Sequence, residues 1–138
     1  MRILFIHADH LEYKVRDRAI KDADEVPPDR RKASIDELLA CFTTVEERDE
    51  KDPEGIADRA AHEIGDVASQ VKTKRLVLYP YAHLSSSLAA PGPSRKILAS
   101  LAAKLTAGGY AVVASPFGWY KSFTLRCQGH PLSELSRE

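Results

Sequence analysis

The sequence predicts one α/β domain over residues 1–138, with a mixed β-sheet and two main helices. Two segments carry apolar residues at helical spacing, and several shorter runs are rich in β-branched and aromatic residues. In the second half of the chain the two kinds alternate, the arrangement that layers helices on a sheet. A length of 138 residues suits a single domain, and a hydrophobic share of 43% supplies a core for it.

Residues 3–7 form a continuous apolar run, the pattern of a central strand buried on both faces. Residues 11–16 then alternate, with Leu11, Tyr13 and Val15 on one side and Glu12, Lys14 and Arg16 on the other. A turn through Asp9 and His10 makes the two runs a hairpin. Residues 17–34 are charged and proline-rich, including Pro27-Pro28 and Arg30-Arg31-Lys32, and read as a solvated surface excursion. Residues 36–47 are again strand-like, carrying Phe42, Thr43, Thr44 and Val45.

Asp52-Pro53 starts a helix, since aspartate caps free N–H groups and proline suits the first helical position. Ile56, Ala60, Ile64, Val67 and Val71 follow as one stripe, so this helix lies on a sheet. Residues 75–80 form the next strand, with Pro80 limiting its ladder. Pro91-Gly92-Pro93 breaks the chain before a second helix striped by Ile97, Leu98, Leu101 and Leu105. Gly108-Gly109 closes that helix. Residues 110–115 and 120–127 are strands, and Gly129-His130-Pro131 turns into a short tail. The predicted order is β-β-β-α-β-α-β-β.

Composition excludes several classes. The longest apolar runs, residues 3–6 and 76–79, are too short to cross a membrane, and the N-terminus lacks a signal-peptide pattern. A cytoplasmic protein is expected. Cys41 and Cys127 form no CxxC pair and read as reduced core residues. Basic and acidic side chains number 20 each, so any RNA contact is expected to be a local grip on a terminus. There is no GxSxG elbow, Walker lysine or GxGxxG. His7, Asp9 and His10 have spacing that metals use, but His10 points away from the other two along a strand; neither a metal nor a cofactor is expected.

Two placements stand out. His83 and Ser85-Ser86-Ser87 follow the end of a strand, where α/β folds hold ligands. Lys121 alternates into line with Phe123, Leu125 and Cys127. A lysine on an apolar face either snorkels to the edge or faces a cleft. For His83, a core histidine bonded to a carbonyl is the bland alternative; for Tyr120, a half-buried strand aromatic; for Glu134, a tail carboxylate paired to Arg137.

Four segments together resemble the N-terminal editing domain of archaeal threonyl-tRNA synthetases. They are the opening Met1-Arg2-Ile3-Leu4-Phe5-Ile6-His7-Ala8-Asp9, then Tyr79-Pro80-Tyr81-Ala82-His83-Leu84-Ser85-Ser86, then Pro116-Phe117-Gly118-Trp119-Tyr120-Lys121, and the closing residues 129–137. The resemblance covers essentially the whole chain and implies a D-aminoacyl-tRNA deacylase-like fold, commonly as a homodimer. It implies an aminoacyl-tRNA deacylase that hydrolyses L-serine mischarged on tRNA(Thr) and spares L-threonyl-tRNA. The 2′-hydroxyl of the terminal adenosine then assists attack by water. A synthetic pocket that accepts threonine gains only ~1–3 kcal/mol against a substrate one methyl smaller, so a second, hydrolytic site is needed.

Residue by residue, the resemblance gives Lys121 the catalytic geometry and the rejection of threonine. Tyr120, His83 and Glu134 become the polar groups around the reacting centre. The backbone of Pro80 and Ala82 lines the seryl pocket, and Val45, Glu46 and Phe117 lie near the adenine and acceptor end. The implied partners are the 3′ acceptor end of tRNA(Thr) and a synthetase catalytic module, in cis or in trans. Trp119 departs from the smaller aromatic of many relatives. The alternatives are a general D-aminoacyl-tRNA deacylase, whose Ser-Gln and Gly-Pro loop signatures are not found here, and an inactive module that binds tRNA ends or dimerises.

Overall fold

The computed structural model describes all residues 1–138. Six strands form one mixed sheet: β1 (Arg2–Arg18), β2 (Lys32–Thr44), β3 (Arg75–Pro80), β4 (Ala111–Ala114), β5 (Trp119–Cys127) and β6 (Glu134–Arg137). The order across it is β4-β3-β2-β1-β5, with β6 also pairing with β1. The β2–β3 and β3–β4 pairs are parallel, and the β1–β2, β1–β5 and β1–β6 pairs are antiparallel. Two helices, α1 (Pro53–Val71) and α2 (Pro91–Ala107), make the crossovers that parallel strands require.

The first helix begins as the sequence predicts, and the second begins earlier. The Asp52 carboxylate accepts the Gly55 N–H at 3.2 Å, with Pro53 opening the helix. Pro91 does not stand outside α2: it opens the first turn, where a missing N–H costs nothing. The α1 and α2 stripes bury Ile64, Val67, Ile97, Leu101 and Leu105 against Ile3, Phe5, Leu39, Cys41, Leu76 and Leu78. Both cysteines are free.

The predicted hairpin at Asp9-His10 is corrected by the structure. Residues 2–18 are one strand, and its hairpin partner is β2. The strand bends sharply. Phe123 pairs with Tyr13 and Phe42 with Leu4, nine residues apart on β1, or about 30 Å if straight. The Phe123 and Phe42 rings nevertheless lie 5.8 Å apart. The corner falls where the β1–β5 register shifts between Ala8 and His10, opposite Glu37, whose φ is +46°. An irregularity of this kind turns a sheet through a corner. A second core of Leu11, Tyr13, Leu38, Ala40, Phe42, Val77 and Tyr79 fills the inside of the bend.

Hydrogen bonds fix the corner. His7 is hydrogen-bonded to Glu37 at 2.6 Å through one ring nitrogen and to His130 at 2.8 Å through the other. The Thr73 hydroxyl donates to the second Glu37 oxygen at 2.8 Å. Asp9 instead meets Arg126 at 3.5 Å, and His10 meets Asp36, so the three residues with metal-like spacing go to separate partners. No helix is long and apolar enough to cross a membrane.

Candidate functional site

The bend leaves a groove of about 580 Å³ between the ends of β2 and β3, the start of α2 and the chain entering β5. Lys121, His83, Tyr120, Pro80, Ala82, Val45 and Phe117 all line it. Residues distant in sequence meet here because Val45 and Pro80 end neighbouring parallel strands and β5 folds over them. Ligand sites outside the ends of parallel strands follow the same logic.

Lys121 lies under the rim of this groove, its Nζ 4.7 Å from the centre of the Tyr79 ring. The ring face holds the ammonium where water does not reach it freely. Burial lowers the Lys121 pKa to about 8, partly offset by the negative charge of Asp24. Of the two alternatives for this lysine, the structure selects the cleft. Tyr79 is itself buried beside Tyr13 and Tyr81, which pushes its hydroxyl up to about 12 and keeps it neutral.

His83 sits on a short 3-10 turn, Ala82–Leu84, and is exposed at the rim, so it is not a core histidine. Its ring stands edge-on to Tyr81 at 4.9 Å. The turn is held by backbone bonds: Tyr81 N–H to the Thr43 carbonyl at 2.9 Å and Ala89 N–H to the Val45 carbonyl at 3.1 Å. Tyr120 alternates to the opposite face of β5 from Lys121 and is 64% exposed, far from a half-buried packing residue.

Glu46 and Glu134 are not among the residues lining the groove. Glu46 is buried, taking hydrogen bonds from the Ser85 hydroxyl at 2.7 Å and the N-terminal ammonium at 3.2 Å. Burial pushes its carboxyl up, but Ser85 and the ammonium outweigh this and hold it below the ordinary range. Glu46 therefore anchors the loop that presents His83. Glu134 is exposed on β6, beside Cys127, with its Oε1 3.6 Å from the Cys127 sulfur. Cys127 lies six residue steps along β5 from Lys121, about 20 Å of strand. Arg137 pairs with Glu63 at 3.3 Å.

Residues 17–34 do more than cover surface. Ala19 and Ile20 line the groove, and both backbone N–H groups donate to the Gly118 carbonyl, at 2.8 and 3.3 Å. Asp24 then ties the same loop to α2 through Arg95 at 2.8 Å. Nothing local in the sequence marks Asp24, because its partners lie 71 and 93 residues further along.

Comparison with known proteins matches the chain as a whole. The family model of the archaea-specific editing domain of threonyl-tRNA synthetase matches residues 1–138. A threonine–tRNA ligase of Thermococcus gammatolerans is 51% identical over 137 residues, 99% of this chain and 22% of that protein. The threonine–tRNA ligases of Methanopyrus kandleri and Methanothrix thermoacetophila are 49% and 48% identical over the same shares. The chain thus spans about a fifth of the length of the curated relatives it matches. Among solved structures, a c-Myc DNA unwinding element binding protein aligns with a TM-score of 0.60 over 100% of this chain and 98% of its own. At 10% identity, that likeness concerns the fold alone.

Proposed function

Since the chain belongs to the archaea-specific editing-domain family of threonyl-tRNA synthetases, we propose that it hydrolyses the ester of L-serine mischarged on tRNA(Thr) and spares L-threonyl-tRNA. The observation that carries this reading is the desolvated Lys121 beside Tyr79 in a groove that also holds His83, Phe117 and Tyr120. On this reading the fold is that of D-aminoacyl-tRNA deacylases.

The chemistry asked of the groove is modest. Water adds to the ester carbonyl, the bond to the ribose oxygen breaks, and that oxygen takes up a proton. At neutral pH Lys121 is mainly an ammonium, a donor of hydrogen bonds with no lone pair to accept one. It orients the attacking water and the 2′-hydroxyl of the terminal adenosine, and that hydroxyl assists the attack. His83 at the rim and Tyr120 position the ribose and water. The backbone at Pro80 and Ala82 bounds the seryl side chain, and Val45 and Phe117 lie toward the adenine. Rejecting one methyl group in so confined a space is a steric matter of ~1–3 kcal/mol.

A formal charge of zero suits a domain that takes only the acceptor end of tRNA(Thr), the rest being held by a synthetase module in cis or in trans. The setting is the cytoplasm. The chain acts as a homodimer on this reading, and Glu134, about 20 Å along the strand from Lys121 and outside the groove of its own copy, is assigned to the groove of the second copy. Phe123 and Leu132, 44% and 40% exposed, offer apolar area for that pairing.

A non-hydrolysable amide analogue of serine esterified to adenosine tests the placement. Its binding is expected to shift the backbone amide resonances of Ala82, Phe117, Gly118 and Lys121. Binding that leaves these four unshifted would sink the assignment of the groove.

A further inference from the structure

We propose that Asp24 is a positioning residue for the reaction, acting through the Phe117–Gly118–Trp119 wall of the groove and through its carboxylate charge on Lys121. The kinetic part of this inference rests on the deacylation reading; the structural and titration parts do not.

Asp24 joins three separate segments. One carboxylate oxygen accepts the Phe117 N–H at 2.9 Å, and the other accepts the Arg95 Nε–H at 2.8 Å. Its own N–H donates to the Phe117 carbonyl at 3.0 Å, and its carbonyl accepts the Trp119 indole N–H at 2.8 Å. Two of its four bonds therefore hold Phe117 through both its N–H and its carbonyl, one in each flanking peptide unit, and a third fixes the Trp119 ring. The Arg95 guanidinium also lies 5.2 Å over the Phe117 ring, and Arg18 lies 5.0 Å over Trp119. Between these aromatics Gly118 packs directly on Ala23, the residue before Asp24.

A carboxylate that takes one N–H from the groove wall and one from α2 does more than close a surface loop. Hydrogen bonds to a charged acceptor are about twice as strong as neutral ones, so the wall is held stiffly. The same charge acts on Lys121. The titratable groups lining the groove with that ammonium are the neutral Tyr79 beneath it, Tyr81, Tyr120 and His83 at the rim; behind the wall stands Asp24 with its partner Arg95, which also pairs with Asp22. Desolvation weakens the ammonium, and Asp24 is the group that counters it. Arg95 offsets part of the Asp24 charge, so the effect on Lys121 is graded.

The test uses Asp24→Asn and Asp24→Glu. The first keeps an acceptor oxygen but no charge; the second keeps the charge and lengthens the reach. Lys121 is followed by NMR through its side-chain titration, which needs no substrate, and by the alkaline limb of kcat/KM for seryl-tRNA. In Asp24→Asn both are expected to move to lower pH. Simple loosening of the wall would admit water and move them upward. Asp24→Glu is expected to show no downward shift of the titration, because the charge is kept, while kcat/KM falls by about 3–10-fold, because the wall moves.

An unmoved or raised Lys121 titration in Asp24→Asn overturns the proposal, even if seryl-tRNA hydrolysis is intact. Should Asp24→Asn fail to fold, the glutamate variant decides alone: lowered kcat/KM without a downward shift of the titration supports the proposal, and wild-type kcat/KM overturns it. A wild-type protein that does not hydrolyse seryl-tRNA defeats the functional reading instead and leaves the titration test standing.

Discussion

Replacing Lys121 by methionine is expected to lower kcat/KM for seryl-tRNA by on the order of 10²–10⁴-fold while the protein keeps its fold. Methionine is close in length and flexible, and its sulfur sits well against an aromatic ring, here that of Tyr79. The lost ammonium removes the donor that orients water and ribose. Stability should not suffer, because the lysine is a group the fold tolerates at a cost. Its pKa is lowered in the folded protein to about 8, against an ordinary value of 10.5. Between those values the unfolded chain binds more protons than the folded one, so this lysine makes stability rise with pH over that window. The stability difference between wild type and Lys121→Met, followed by denaturant unfolding, should therefore shift in favour of wild type from pH 8 to pH 10.5. A variant with unchanged activity would defeat the catalytic assignment, and a flat difference would deny that the ammonium is desolvated.

Gly118→Ala should damage both stability and activity. Gly118 has φ of +86°, a region that side chains enter reluctantly. A Cβ there would also lie 2.8 Å from Ala23 Cα and 3.0 Å from Ala23 Cβ and Ile20 Cγ1. Ala23 Cα is backbone and cannot swing aside. The 19–24 segment must retreat, and the bonds from Gly118 to Ala19 and from Phe117 to Asp24 go with it. The expected cost is about 2–4 kcal/mol, visible as a Tm drop of roughly 10 °C. Gly129→Ala is the control: φ there is +82° with nothing within 4 Å, so only the backbone strain of about 1 kcal/mol applies. Equal losses in the two variants would mean that the Gly118–Ala23 contact does not matter.

How much of this was legible in the sequence depends on how local each signal is. The α1 stripe, the Asp52-Pro53 start and the strands at 75–80 and 120–127 repeat at the spacing of their own element. The middle of β1 misleads for a physical reason. Ahead of the corner Leu4, Ile6 and Ala8 face the inner core; beyond it Leu11, Tyr13 and Val15 are the inward or buried positions. One irregular residue flips the alternation from even to odd positions, and in sequence that flip looks like a turn. The strand β6 reads as a tail because it is four residues long and mostly polar. Seven of the nine expected site residues lie around the groove because the motifs that carry the resemblance sit at strand ends. Glu46 is withdrawn into an ion cluster with the N-terminus, a long-range event with no local pattern. Asp24 looked like one more surface acid among many, and only the fold shows it beneath Phe117 and Trp119.

The most direct test of the central claim is deacylation by the purified chain of seryl-tRNA(Thr), threonyl-tRNA(Thr) and a D-aminoacyl-tRNA side by side, with and without a chelator. The account predicts rapid loss of serine, threonine retained by about 100-fold or more, and no effect of the chelator. Equal hydrolysis of the L-serine and L-threonine esters, or hydrolysis of the D-ester alone, would contradict it.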